Sequence, residues 1–308
     1  MARFTSVSIV GKVIEVPGEL AASQRKFNGE AGRAFVANLP RRAEEFLRRW
    51  DLRLDGPAMH GMCALVLPVV RADGSPAALK LQPLDAETEG EPLALRVWGG
   101  DGAVRLLEHD EPSCTLLLER LDETRALTDL PDTREAVRVI GELLARLTAV
   151  AAPPGLRRLG DIAPAMLERV PWALERVPDP ADRRLLADCA AAVREVVGES
   201  GDRLLHWDLH YDNVLAAERA DWVADWVAID PKPLAGDPGF ELLPAIYNRY
   251  APEETVLRFH ALTDAPALDR ERARAWTLGR VLQNCLWEIV DGRPLEAVRL
   301  EIGRALRG

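Results

Sequence analysis

The sequence predicts an α+β chain of two lobes, a small sheet-rich first lobe and a larger helical second one. Short runs of branched apolar residues separated by turn signals fill residues 64–119. From Thr133 onward, apolar residues recur at helical spacing. The 308 residues are enough for one large domain or two ordinary ones.

The elements follow in order. Residues 30–50 are helix-like, with Pro40 as an expected interruption between two helices. Residues 64–70 (ALVLPVV) read as a strand, 72–75 (ADGS) as a turn, and 77–81 (AALKL) as the returning strand. Residues 87–98 read as a helix with Pro92 in its first turn, where no intrahelical donor is lost. Strands are expected over 103–107 and 115–119, separated by Asp-Glu-Pro-Ser at 110–113. An extra strand is expected over 5–17.

Three helices are expected in the second lobe. The first begins after the N-cap candidate Asp132, with Glu135 at the third position. The second starts at Asp179-Pro180, and the third near Asp269, ending near Gly292. Between the last two lies a charge-rich stretch, 204–238, with short strand-like pieces at 213–216 and 226–229. The tetrapeptide ADWV occurs twice in succession, over 220–227, and is expected to lengthen a hairpin loop. Lobes of 1–120 and 121–308 follow, with Glu119 to Asp122 as the connector.

Composition narrows the function. Hydrophobic residues make up 48% and charged residues 29%, which excludes a mainly disordered chain. The net charge of −10 makes a nucleic-acid binder a poor fit and favours a cationic small-molecule substrate. Cys63, Cys114, Cys189 and Cys285 have no metal-ligand spacing and read as reduced thiols of a cytoplasmic protein. No apolar run approaches the roughly 20 residues of a membrane span, and the N-terminus lacks the ordered regions of a signal peptide. A monomer with no membrane partner is expected.

The sharpest chemical signal is His206-Trp207-Asp208-Leu209-His210-Tyr211-Asp212-Asn213. It fits H-x-D-L-x-x-x-N, the catalytic-loop pattern of protein kinases, with Trp in place of Arg. Phosphoryl transfer needs a carboxylate to orient and partly deprotonate the attacking hydroxyl, here Asp208. It also needs oxygen ligands for Mg²⁺, here Asn213 and, directly after an apolar strand, Asp230. Lys80, inside the strand AALKL, matches the phosphate-contacting lysine of kinases. The upstream turn 59–63, with Gly61 alone, is a weak candidate for a loop covering the phosphates. A helix glutamate should hold Lys80. Glu87, Glu89 and Glu91 all fall near the right place, and Glu91 is favoured because it leads into the most regular part of the helix.

Taken together, these motifs resemble the aminoglycoside phosphotransferases, and within them the streptomycin 6-phosphotransferase and hydroxyurea phosphotransferase group. The residues that carry the resemblance are ALKLQ at 78–82, VWGGDGAVRLL at 97–107, LLERL at 117–121, the 206–213 motif, AIDPKPL at 228–234, GDPGFE at 236–241 and VLQNCLW at 281–287. It spans roughly residues 29–291 and implies a bilobal protein-kinase-like fold. It further implies ATP-dependent, Mg²⁺-dependent phosphorylation of a hydroxyl on a small antibiotic, most directly the 6-hydroxyl of streptomycin. Asp208 would be the base, Asn213 and Asp230 the metal ligands, and Lys80 the α/β-phosphate contact. Backbone groups near Glu119 and Leu121 would read adenine. The sequence departs from the family pattern at Trp207, where many relatives have Gly. Its metal motif reads Ile-Asp-Pro rather than Asp-Phe-Gly.

Rival readings attach to some of these residues. His206-x-Asp208-x-His210 on one face of a strand could form the metal cluster of a hydrolase. A non-catalytic nucleotide-binding module or a kinase for another small hydroxyl compound would keep the same motifs. His206 is expected to pack against the metal loop, and His210 to bond within its loop or touch substrate. Asp237, Glu241 and Glu288 are candidate carboxylates for a guanidinium-bearing acceptor. For Asp237 the alternative is bracing of the backbone, and for Glu288 a solvated helix face.

Overall fold

The computed structural model describes residues 14–217 and 226–307. The strand expected over 5–17 lies outside them except for 14–17, which form no strand, and six of the eight ADWV residues also lie outside. Two compact units form: Met1–Leu84 with Leu107–Arg120, and Asp85–Leu106 with Leu121–Gly308. No described helix is long and apolar enough to cross a membrane.

The first unit holds helix α1 (Gly18–Arg49) and strands β1 (Arg53–Leu54), β2 (Met59–His60), β3 (Leu65–Val70), β4 (Pro76–Leu81), β5 (Leu106–Asp110) and β6 (Thr115–Glu119). Their order is β1-β3-β4-β6-β5, with β2 also paired to β3. The turn between β3 and β4 closes as predicted: Asp73 accepts from the Ser75 N–H at 2.9 Å, and Gly74 takes φ 85°. Strand alternation then places Leu65, Leu67, Val69, Ala77, Leu79 and Leu81 on one face. That face buries Leu20, Leu39, Ala43 and Phe46 of α1.

Pro40 does not divide this helix. It removes one backbone donor, but Leu39, Ala43 and Phe46 are buried in the same core and hold both sides in line. The break falls instead at Gly29, with φ 54° and ψ −121°, a conformation open to glycine.

The second unit contains helices α2 (Glu91–Trp98), α3 (Thr133–Leu147), α4 (Leu159–Leu174), α5 (Pro180–Val196), α6 (Leu243–Tyr247), α7 (Thr255–Asp264), α8 (Arg270–Val290) and α9 (Ala297–Arg307). Asp132, Asp179 and Asp269 cap α3, α5 and α8 through their side chains, as the sequence predicts. The helices α4, α6, α7 and α9 are additions to that expectation; Pro164 and Pro171 inside α4 mask its periodicity. Two small sheets run through the unit. One is ordered β11-β10-β7, from β7 (Asp122–Ala126), β10 (Val214–Ala216) and β11 (Trp226–Ala228). The other is ordered β8-β12-β9, from β8 (Arg157–Arg158), β9 (Arg203–Leu205) and β12 (Leu234–Gly236).

The expected lobe 1–120 differs from this division because residues 85–106 group with the second unit. The reason is hydrogen bonding. The Trp98 indole donates to the Leu147 carbonyl at 3.0 Å, Val104 N–H to Ala228 at 2.9 Å, and Ala228 N–H to Gly102 at 2.9 Å. These bonds draw 102–104 away from the strand expected over 103–107, which forms at Leu106–Asp110. The helix expected over 87–98 starts at Glu91, because the Asp85 carboxylate first closes a turn onto the Glu87 and Thr88 amides.

Candidate active site

The loop 206–213 joins β9 to β10, and Asp230 lies just past the end of β11. Pairing of β10 with β11 brings the two together: Val214 faces Ala228, and Ile229 N–H donates to Asn213 O at 2.9 Å. From the other side, β9 pairs with β12, and Lys232 N–H donates to His206 O at 2.9 Å. Two short antiparallel ladders therefore position Asp208, Asn213 and Asp230 in one region of the second unit.

The Asn213 amide nitrogen donates to the Asp208 carbonyl at 2.9 Å and lies 3.4 Å from its Oδ2. It is also 3.1 Å from His210 Nε2. With the nitrogen so engaged, the Asn213 Oδ1 is the available oxygen. Asp230 has φ 58°, an uncommon conformation for a residue with a side chain, and its Oδ1 accepts from Lys232 Nζ at 3.0 Å. One amide oxygen and one carboxylate suit Mg²⁺, which takes oxygen ligands and keeps several waters.

Burial opposes the Lys232 ammonium, but Asp230 and Glu91 outweigh it and raise its pKa. Glu91 is fully buried in the first turn of α2, within electrostatic reach of Lys232. Lys80 belongs to the first unit: it pairs with Val66 and Leu116, on the face opposite Leu79 and Leu81, and is 5% exposed. Glu119 ends β6 opposite Ala77. Leu121 opens the second unit and is buried.

The Asp208 side chain is 36% exposed. The protein packed around it still strips enough hydration to lift it above the ordinary carboxylate range, with His210 opposing the shift. A carboxylate made more basic in this way is better suited to accept a proton. His210 stays within its loop, 3.8 Å from Asp208 and 3.5 Å from Asp212.

His206 is buried against the turn that holds Ile229 and Asp230, the packing expected of it. Its Nε2 donates to Ile229 O at 3.0 Å, and its Nδ1 accepts the Asp208 N–H at 3.3 Å. Burial lowers its pKa to about 3, so the ring is neutral. Both nitrogens are committed, which removes His206 from the ligand set of a hydrolase cluster. Among the described residues no group of three or more His, Cys, Asp or Glu side chains could hold a metal.

The three proposed acceptor carboxylates are corrected. Asp237 caps the short helix Pro238–Glu241 through the Gly239 N–H at 2.8 Å and pairs with Arg272 at 3.0 Å. Glu241 is 1% exposed and spends both oxygens on the His206 N–H. Glu288 is 2% exposed, accepts from the Glu296 N–H at 3.2 Å and pairs with Arg299. All three brace the fold, because burial and internal partners absorb their charge.

The sequence reading passes over Lys232, Arg157 and Arg280. Both guanidiniums lie against the Trp207 ring, with Cζ at 4.6 Å and 4.1 Å from its centre. The signal available was a cation two residues after Asp230, and an arginine on the apolar face of α8 one heptad before Trp287.

The chain matches the Aminoglycoside/hydroxyurea antibiotic resistance kinase family over residues 49–292. It belongs to that family. A hydroxyurea phosphotransferase of Kitasatospora aureofaciens is 60% identical over 96% of this chain and 88% of that protein. A streptomycin 6-kinase of Streptomyces glaucescens is 53% identical over 96% of this chain and 98% of that protein. Among solved structures, a thermostable mutant of aminoglycoside phosphotransferase APH(4)-Ia, in ternary complex with ADP and hygromycin B, aligns with a TM-score of 0.57. That alignment covers 86% of this chain and 97% of the other at 14% identity. The family's kinase-like α+β fold is thereby shown for this chain.

Proposed function

We propose that this kinase transfers the γ-phosphate of ATP, with Mg²⁺, to a hydroxyl of a small antibiotic, with the 6-hydroxyl of streptomycin as first acceptor. The observation that carries the reading is the convergence of Asp208, Asn213 and Asp230 on two short ladders. Asp208 orients the acceptor hydroxyl and takes its proton. Asn213 Oδ1 and Asp230 are the metal ligands, and Lys80 is the contact for the α/β-phosphates. Backbone groups at Glu119 and Leu121 serve the adenine. Bound Mg²⁺ would neutralise phosphate charge. The chain contributes positioning, through the loop bonds, and a desolvated carboxyl poised as base.

Hydroxyurea is the second reading. It is favoured by the 60% identity to a hydroxyurea phosphotransferase and by the internal engagement of Asp237, Glu241 and Glu288, which were expected to hold guanidinium groups. We further propose a cytoplasmic monomer.

The test is a coupled nucleotide-consumption assay with ATP and Mg²⁺ and, side by side, streptomycin, hydroxyurea, a kanamycin-type aminoglycoside and no acceptor. Turnover with streptomycin supports the first reading, and turnover with hydroxyurea alone supports the second. Asp208→Ala should lower kcat by about 100- to 10,000-fold. Near wild-type turnover in that variant would overturn the assignment.

A further inference from the structure

We propose that Arg280 is a positioning residue for phosphoryl transfer, gripping Trp207 so that the next residue, Asp208, is held in its working orientation. The inference rests on the reading of Asp208 as the base.

Trp207 is in a strained place. Its φ is 68°, in the left-handed region that glycine enters freely and a bulky side chain does not. Such a conformation persists only where the surroundings impose it. The indole is 2% exposed, and its N–H has no hydrogen-bond partner. No polar anchor therefore fixes the ring, which must be held by its faces and edges.

Arg280 supplies that hold. Its guanidinium lies 4.1 Å from the Trp207 ring centre, 5.5 Å from that of Trp287 and 5.7 Å from that of Phe240. Trp207 and Trp287 meet edge-on at 5.9 Å. One Arg280 nitrogen, Nη1, donates to Gln283 Oε1 at 2.6 Å, while Nη2 reaches the Trp207 carbonyl at 3.5 Å. The same side chain thus touches both the ring and the backbone of the strained residue. Arg157 also lies against the ring, but its Nη2 is spent on the Lys232 carbonyl.

The electrostatics make this use of an arginine unusual. Arg280 is 7% exposed, and its Nε has no partner. Among the described residues no carboxylate forms an ion pair with it; Asp208, Glu87 and Glu241 are acidic groups within electrostatic reach of it. A buried cation without an ion-pair partner is a stability liability. Its presence is accounted for by what a planar, permanently charged group does to an indole, which neither lysine nor methionine reproduces.

The test combines Arg280→Met, Arg280→Lys, Trp207→Gly, Trp207→Phe and the double variants of Arg280→Met with each. A loop displaced by about 1 Å loses about 100-fold in rate, so Arg280→Met should lower kcat by about 10- to 100-fold. KM for ATP should stay unchanged and the melting temperature should not fall, a split that a merely structural role would not give. Arg280→Lys should not restore kcat. The loss should persist in the Trp207→Phe background, which keeps a ring, and shrink to less than about 3-fold in the Trp207→Gly background, where the backbone needs no grip. Amide exchange across 207–209 should speed up in Arg280→Met and not in Trp207→Gly/Arg280→Met relative to Trp207→Gly. An Arg280→Met enzyme with kcat within about 2-fold of wild type, equal losses in all backgrounds, or unchanged exchange at 207–209 would each overturn the proposal. A wild-type protein that phosphorylates no acceptor would instead overturn the functional reading, while the exchange arm still decides the coupling of Arg280 to Trp207.

Discussion

Both side-chain oxygens of Glu241 face the backbone N–H of His206, at 3.2 and 3.1 Å. Glu241 is therefore the floor of the loop 206–213. Replacing it by Ala would leave the buried His206 amide unpaired, at about 1–3 kcal/mol. Glu241→Ala should lower the urea midpoint and, because the loop loses its floor, kcat as well. An unchanged urea midpoint would contradict this role.

The same carboxyl gives a pH signature. Burial raises Glu241 to about 8, against the bond from the His206 amide. An unfolded glutamate titrates near ~4.3. Between those values the native state holds a proton that the unfolded state has released. The contribution is fully present below the unfolded pKa and fades as pH rises through the folded one. The Glu241 contribution should therefore decline from about pH 5 to pH 8, and Glu241→Gln should make the slope of stability against pH less negative over that range. Urea unfolding at several pH values reads the slope; an equal slope in both proteins would refute the linkage.

His206 works in the opposite sense. Burial holds its pKa down to about 3, against an unfolded value near ~6.5. The native ring refuses a proton that the unfolded chain accepts. Its contribution is present above the unfolded pKa and is lost as pH falls from there toward 3. In NMR spectra, the His206 ring resonances should not titrate from about pH 5 to 8, the range in which an ordinary imidazole changes charge. A midpoint near ~6.5 would show that the ring is not desolvated.

The candidate site residues were legible because the chemistry they suggest depends on local spacing. Asp208 and Asn213 lie on one loop, and Asp230 follows an apolar strand, so sequence alone brings them near one another. The strand around Lys80 was legible for a similar reason: a hairpin fixes its register, and the alternation of Leu79 and Leu81 fixes its face. The carboxylates 237, 241 and 288 were misread because burial and distant partners decide their roles. Arg272 and Arg299 are 35 and 11 residues away from Asp237 and Glu288. The strain at Trp207 was visible only as an odd residue in the motif. Its physical meaning needs the backbone φ and the Arg280 side chain, contributed from 73 residues away.

Glu288 offers a direct test of that correction. It is buried, accepts the Glu296 N–H and pairs with Arg299, which is itself 22% exposed. Removing one partner of a fully buried pair costs about 3–5 kcal/mol; the partial exposure of Arg299 reduces the expectation to about 2 kcal/mol. Glu288→Ala should lower the melting temperature and leave the acceptor KM where it was. Asp237→Ala should behave alike, since it loses a helix cap and the Arg272 pair together. A variant with an unchanged melt but a raised acceptor KM would return that carboxylate to the substrate, and with it the guanidinium-binding role that its burial argues against.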